Sequence, residues 1–154
     1  MVDRIRDQIS EGLKEAMKKQ DRVRMTTLRL INAAIKDRDI EARTKGKDGV
    51  SNDEIMSILT KMIRQREESS KIYEENARLD LAEQERKEIE VIRSFLPRQM
   101  DEDELKSACH DVVGDVGAQG LRDMGKCMGT LKERYSGRMD FARASSVVKD
   151  ILSS

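Results

Sequence analysis

The pair Cys109–His110, with a second cysteine at 127, is the part of this sequence that comes nearest to nucleophilic or metal chemistry. A cysteine nucleophile needs a base within hydrogen-bond reach, yet adjacent residues of a helix point about 100° apart, so the two side chains cannot meet. One histidine and two cysteines 18 positions apart supply three ligands at most, in a spacing that matches no common zinc pattern. These residues read as core or surface. Carboxylate pairs such as Glu83 with Glu88, or Asp101 with Glu104, could do acid–base work only inside a pocket that raises one pKa, and a thin aliphatic bundle rarely encloses one. The chain also lacks a Walker loop, a GxGxxG turn, a GxSxG elbow and an HExxH helix. The expectation is therefore no catalytic residue, no cofactor and no metal.

The run "LRDMGKCMGTLKERYSGRMD", residues 121–140, poses a different question. Gly125 and Gly129 stand one turn apart in a short helix, where each costs up to about 1 kcal/mol relative to Ala. Removing two Cβ atoms from one face lets another backbone come close. That backbone is either a neighbouring helix or a sugar-phosphate chain, and in the second case Lys126, Lys132, Arg134 and Arg138 would supply the cations. Met124 and Met128 read as core.

The elements that must position this run are helical. Charged residues are 39% of the chain, against roughly 25% in an average domain, and aromatics are only 3%, so strands have little to build on. Val2, Ile5, Ile9, Leu13 and Met17 make one apolar stripe, and Met25, Leu28, Ile31 and Ile35 a second. Ser51 with Glu54 forms a capping box that opens a third helix carrying Ile55, Ile58, Leu59, Met62, Ile63, Ile72 and Tyr73. Asp80 with Glu83 repeats the spacing before Leu81, Ile89, Ile92, Phe95 and Leu96, and Pro97 ends that helix. Asp101 with Glu104 starts a short helix through Leu105, Ala108, Val112 and Val116 that stops in "GAQG"; two more follow, near 123–135 and 140–152. The expected fold is all-α: a long-helix antiparallel region over 1–96 and a three-helix bundle over 97–154.

Thirty basic and thirty acidic side chains cancel, so net charge argues for no partner. Their distribution is uneven. From 14 to 47 there are eleven Lys/Arg against five Asp/Glu, net +6; from 101 to 115 one against six, net −5; from 122 to 149 seven against three, net +4. No stretch approaches 18 consecutive apolar residues, so no membrane span is expected. The N-terminal run "MVDRIRDQISEGLKEAMKK" has no apolar signal core, which leads to the expectation of a cytoplasmic protein with reduced thiols.

Three blocks in order then carry a resemblance: "TLRLINAAIKDRDIEAR"; the stretch from "SNDEIMSILTKMIRQREESSKIYEENARLDLAEQERKEIEVIRSFLPRQMDEDEL"; and "DMGKCMGTLKERYSGRMD". The last looks like the "DMGKVMG…GRAD" signature of the GatB/YqeY family, whose members are similar to the C-terminal tail of the GatB component of the glutamine-dependent Asp-tRNA/Glu-tRNA amidotransferase. The resemblance implies an all-helical, non-catalytic protein in two parts, with tRNA as its partner and proteins of tRNA amidation or translation as associates; the family's carbon–nitrogen ligase label, with glutamine as amide donor, attaches to it by association. It also implies RNA contacts at Lys126, at Gly125 and Gly129 for backbone approach, at Arg138, and in the N-terminal block at Arg29, Arg64 and Arg66. Two departures matter: "NARLDLA" puts Ala77 where the family often has glycine, and "FARASSVV" stands where it often continues "GGLVSRLV". The competing expectation is a protein-interaction module without RNA, its surface formed around Met56, Met62 and Ile63.

Overall fold

The computed structural model describes residues 4–154, and all regular structure among them is helical. Its helices are α1 (Ile5–Lys19), α2 (Arg22–Thr44), α3 (Asn52–Glu75), α4 (Leu79–Arg93), α5 (Glu102–Val116), α6 (Met124–Tyr135) and α7 (Phe141–Ser153), with a 3-10 turn at Leu121–Asp123 before α6. The chain divides into two compact units, Met1–Pro97 and Arg98–Ser154.

In the N-terminal unit, α3 and α4 form the most extensive helix pair, and α2 lies against α1 and α4. Ile9, Leu28, Ile31, Ile55, Leu59 and Ile92 are fully enclosed between them. Two members of the expected stripes lie elsewhere. Met17 is 51% exposed and Ile72 is 55% exposed, because the apolar periodicity runs past the ends of the core. Val2 lies outside the described residues. Met62 and Ile63 are buried and Met56 packs against the same core, so the surface expected around them is turned inward.

The helix starts follow side-chain chemistry. Asp21 accepts from the Arg24 N–H, and both Ser51–Glu54 and Asp101–Glu104 close reciprocal capping boxes. The expected cap at Asp80 is displaced: α4 begins at Leu79 after Arg78, and Asp80 sits in the first turn, 3.5 Å from the Arg78 guanidinium. The ends share one device. After α1 the Asp21 N–H reaches back to the Ala16 carbonyl, and after α3 the Arg78 N–H reaches Tyr73, each across a left-handed residue, Gln20 (φ 55°) and Ala77 (φ 59°). Ala77 therefore adopts the conformation that glycine would take at no steric cost.

Between α2 and α3 the chain is locked by an ion pair. Arg6 on α1 grips Asp39 on α2 with both nitrogens, at 2.8 and 2.5 Å, while Asp39 Oδ1 also accepts the Val50 N–H at 2.9 Å. The Arg6 guanidinium holds the Asp39 carboxyl down to about 2, with the Val50 N–H adding to the effect and burial opposing it. Gly49 backs directly onto the pair, since a Cβ there would lie 2.9 Å from Asp39 Oδ1.

The C-terminal unit packs α5, α6 and α7 mutually. Leu105, Val112, Leu131, Met139, Ala144 and Val148 form its core with Cys109 and Cys127.

Candidate nucleic-acid interface

α6 is amphipathic in an unusual way. Cys127 and Leu131, four apart, are completely buried against α5 and α7, and Met124, Met128 and Tyr135 pack around them. Gly125 and Gly129 lie on the opposite side, both exposed. A Cβ built on either would meet nothing within 4 Å. No neighbouring helix of this unit packs against these two positions.

The chain before α6 is held in place by Asp123. Its carboxylate accepts the Gln119 N–H at 2.8 Å, and that bond, more than the nearby Arg122 and Lys126, lowers its pKa. A carboxylate at this end also suits the positive pole of the helix. Lys132 shares the glycine face, three residues beyond Gly129 and seven beyond Gly125, and Lys126 stands on its flank. Both lysines are exposed. Sequence reasoning missed Arg122, exposed and three residues before Gly125, and Leu121, which is 50% exposed. The signal was present, since both belong to the same run, but the 3-10 turn that carries them has no apolar period.

The other candidate cations are placed differently. Arg134 points toward α5, where it donates to Asp115 at 2.7 Å. Arg138 is half-buried; its Nε donates to the Arg98 carbonyl at 3.2 Å, and its own carbonyl accepts the Met100 N–H at 2.9 Å. It clips the start of the C-terminal unit onto the end of α6.

Arg29, Arg64 and Arg66 belong to the N-terminal unit. Arg29 is exposed, whereas Arg64 is half-buried and already has an interaction partner. Arg66 is only 15% exposed, with its Nε 3.5 Å from Glu88 and its Nη1 donating to the Met62 carbonyl. The Nε–Glu88 contact is within ion-pair distance but misaligned as a hydrogen bond, leaving that N–H buried without an acceptor. Arg66 joins α3 to α4 and does not present its charge to solvent.

The cysteine and histidine chemistry separates in space. Cys109 and Cys127 are buried, and His110 is exposed. Burial, with the neighbouring Cys127, pushes the Cys109 thiol up to about 11, and burial also raises Cys127. Among the described residues no three His, Cys, Asp or Glu side chains are grouped to hold a metal ion. Of the acid pairs, Asp101 and Glu104 close the α5 capping box, and Glu88 faces Arg66. An open groove of about 500 Å³ between α2 and α3 is lined by neither Cys nor His.

Comparison with known proteins gives the kinship. The family description "Yqey-like protein" matches residues 6–152. "Altered inheritance of mitochondria protein 41, mitochondrial" of Candida glabrata is 38% identical over 88 residues, covering 57% of this chain and 47% of the relative. The proteins of the same name from Clavispora lusitaniae and Vanderwaltozyma polyspora are 29% and 26% identical, covering 92% of this chain and 81% and 79% of their own lengths. In the Candida glabrata alignment and the one with Lachancea thermotolerans, this chain spans about half of the relative's length. These names overturn the cytoplasmic expectation, since each relative is named as mitochondrial. That expectation rested on the lack of an apolar signal core, and no described helix is long and apolar enough to cross a membrane, but neither observation selects a compartment. With the match running through both units, the chain belongs to the Yqey-like protein family.

Proposed function

We propose that this protein is a non-catalytic helical module that binds tRNA, with the sugar-phosphate backbone laid along the glycine face of α6. The observation that carries the reading is the open space over Gly125 and Gly129 beside exposed Lys126 and Lys132. Two adjacent helix positions without side chains let a phosphate chain approach the backbone, and the lysines neutralise it as point charges. Contacts of this kind position RNA without reading its bases. Selectivity among tRNAs would therefore come from shape or from an associated protein. Association with tRNA amidation belongs to the same proposal and rests on the family resemblance alone.

The test is titration of total tRNA, including an organellar fraction on the strength of the relatives' names, into the full chain at several salt concentrations. Three cations at the site, Arg122, Lys126 and Lys132, would give a slope of about −2 to −3 in log K against log salt. Replacing Lys126 and Lys132 together by Glu should abolish binding and leave the melting temperature within a few degrees of the original. Absence of binding at micromolar protein and low salt would end the RNA reading.

A further inference from the structure

The α3–α4 hairpin extends past the core that anchors it. Buried aliphatic side chains end at Ile63 on α3 and resume at Ile89 on α4, and among the described residues between 64 and 88 only Ala82 is buried. Polar pairs hold this part together: Arg66 with Glu88, and Arg86 with Glu74. At its closed end, Ile72 in the last turn of α3 is 55% exposed, and Leu79, the first residue of α4, is 66% exposed. Two large apolar side chains this open at one end of a hairpin are candidates for an interaction surface.

The charge around them selects the partner. From 64 to 88 there are eight acidic residues and six basic ones, net −2. Among these cations Arg66 is paired with Glu88, Arg78 with Asp80, Arg86 with Glu74 and Lys87 with Glu83. Ile72 lies between Glu68 and Glu75, four residues before and three after it on the same helix face, and both are exposed. This field repels phosphate, and it opposes pairing with the same end of a second copy. An amphipathic helix with a cationic rim satisfies both the apolar and the acidic parts.

We propose that the closed end of the α3–α4 hairpin docks a lysine- or arginine-rich amphipathic helix of a partner protein, with Ile72 and Leu79 meeting its apolar side and Glu68 and Glu75 its cations. The N-terminal unit carries this surface by itself, independently of any RNA contact on α6.

The test uses the full chain, labelled for amide NMR, titrated with a synthetic leucine–lysine amphipathic peptide and with its leucine–glutamate counterpart. Expected are shifts concentrated between residues 64 and 88 with the lysine peptide and none with the glutamate peptide. Affinity should fall at least tenfold in Ile72→Ser/Leu79→Ser and in Glu68→Lys/Glu75→Lys. Shifts centred on the acidic first turn of α5, or equal affinity for both variants, would overturn the proposal. So would sedimentation of the unliganded chain as a dimer that Ile72→Ser/Leu79→Ser dissociates, which would assign the surface to a second copy. Should a variant unfold by circular dichroism, the shift map of the unaltered chain decides.

Discussion

Gly125 and Gly129 stand one turn apart on the solvent side of α6, directly across the helix from the fully buried pair Cys127 and Leu131. A structural and a binding role for these glycines predict opposite outcomes. Because a Cβ at either site meets nothing, Gly125→Ala and Gly129→Ala should each stabilise the C-terminal unit, by about 0.5–1 kcal/mol, while weakening tRNA binding. Urea unfolding and tRNA titration of the same variants check this. Destabilisation would mean that the bare face serves packing.

The cations separate by the same logic. Lys126→Glu/Lys132→Glu should change RNA affinity without changing stability. Arg138→Ala should lower the melting temperature of the C-terminal unit, because it removes the Nε bond to the Arg98 carbonyl; a net loss of about 1 kcal/mol is expected for one such hydrogen bond. An unchanged melt in Arg138→Ala together with lost binding would return Arg138 to the interface.

Ala77 gives a prediction in the stabilising direction. A left-handed alanine costs about 1–2 kcal/mol relative to glycine in the same conformation, partly offset by the extra freedom glycine has when unfolded. Ala77→Gly should therefore raise stability by about 0.5–1 kcal/mol. A fall in the urea midpoint would mean that the turn after α3 is not left-handed.

Asp39 makes the N-terminal unit sensitive to acid. Its folded carboxyl lies at about 2, below the ordinary 3.8, so the stabilisation is complete above about pH 4 and disappears as pH falls from 4 toward 2. A shift of this size corresponds to on the order of 2 kcal/mol. Arg6→Met should lower stability at pH 7 and flatten the dependence between pH 4 and 2, measured by urea midpoints across that range. Gly49→Ala should act alike, because its methyl would crowd an Asp39 oxygen already fixed by Arg6 and Val50.

Much of the fold was legible because capping chemistry is local. Ser51–Glu54 and Asp101–Glu104 announce their helices through side chains only three residues from the backbone groups they satisfy. Where periodicity alone was used, it overran. The stripes through Met17 and Ile72 keep helical spacing, but whether a partner helix covers them depends on where other elements end. The Arg6–Asp39 lock spans 33 residues and the Arg66–Glu88 contact 22, and no local pattern signals either pairing. For the candidate site, the glycine spacing showed that a face was bare. Which way that face turned was settled only by Cys127 and Leu131 filling the other side. Arg134 and Arg138 were legible as charges, but their partners were not.

The chain has two thiols, and both lie sealed in the core of the C-terminal unit, with none in the other. A chromogenic disulfide reagent would thus be blind to the N-terminal helices and would register only the moments when the core shared by α5, α6 and α7 opens. Timing that colour change in mild urea against the loss of circular dichroism, which sums over every helix, would reveal whether the two halves melt in concert or in succession.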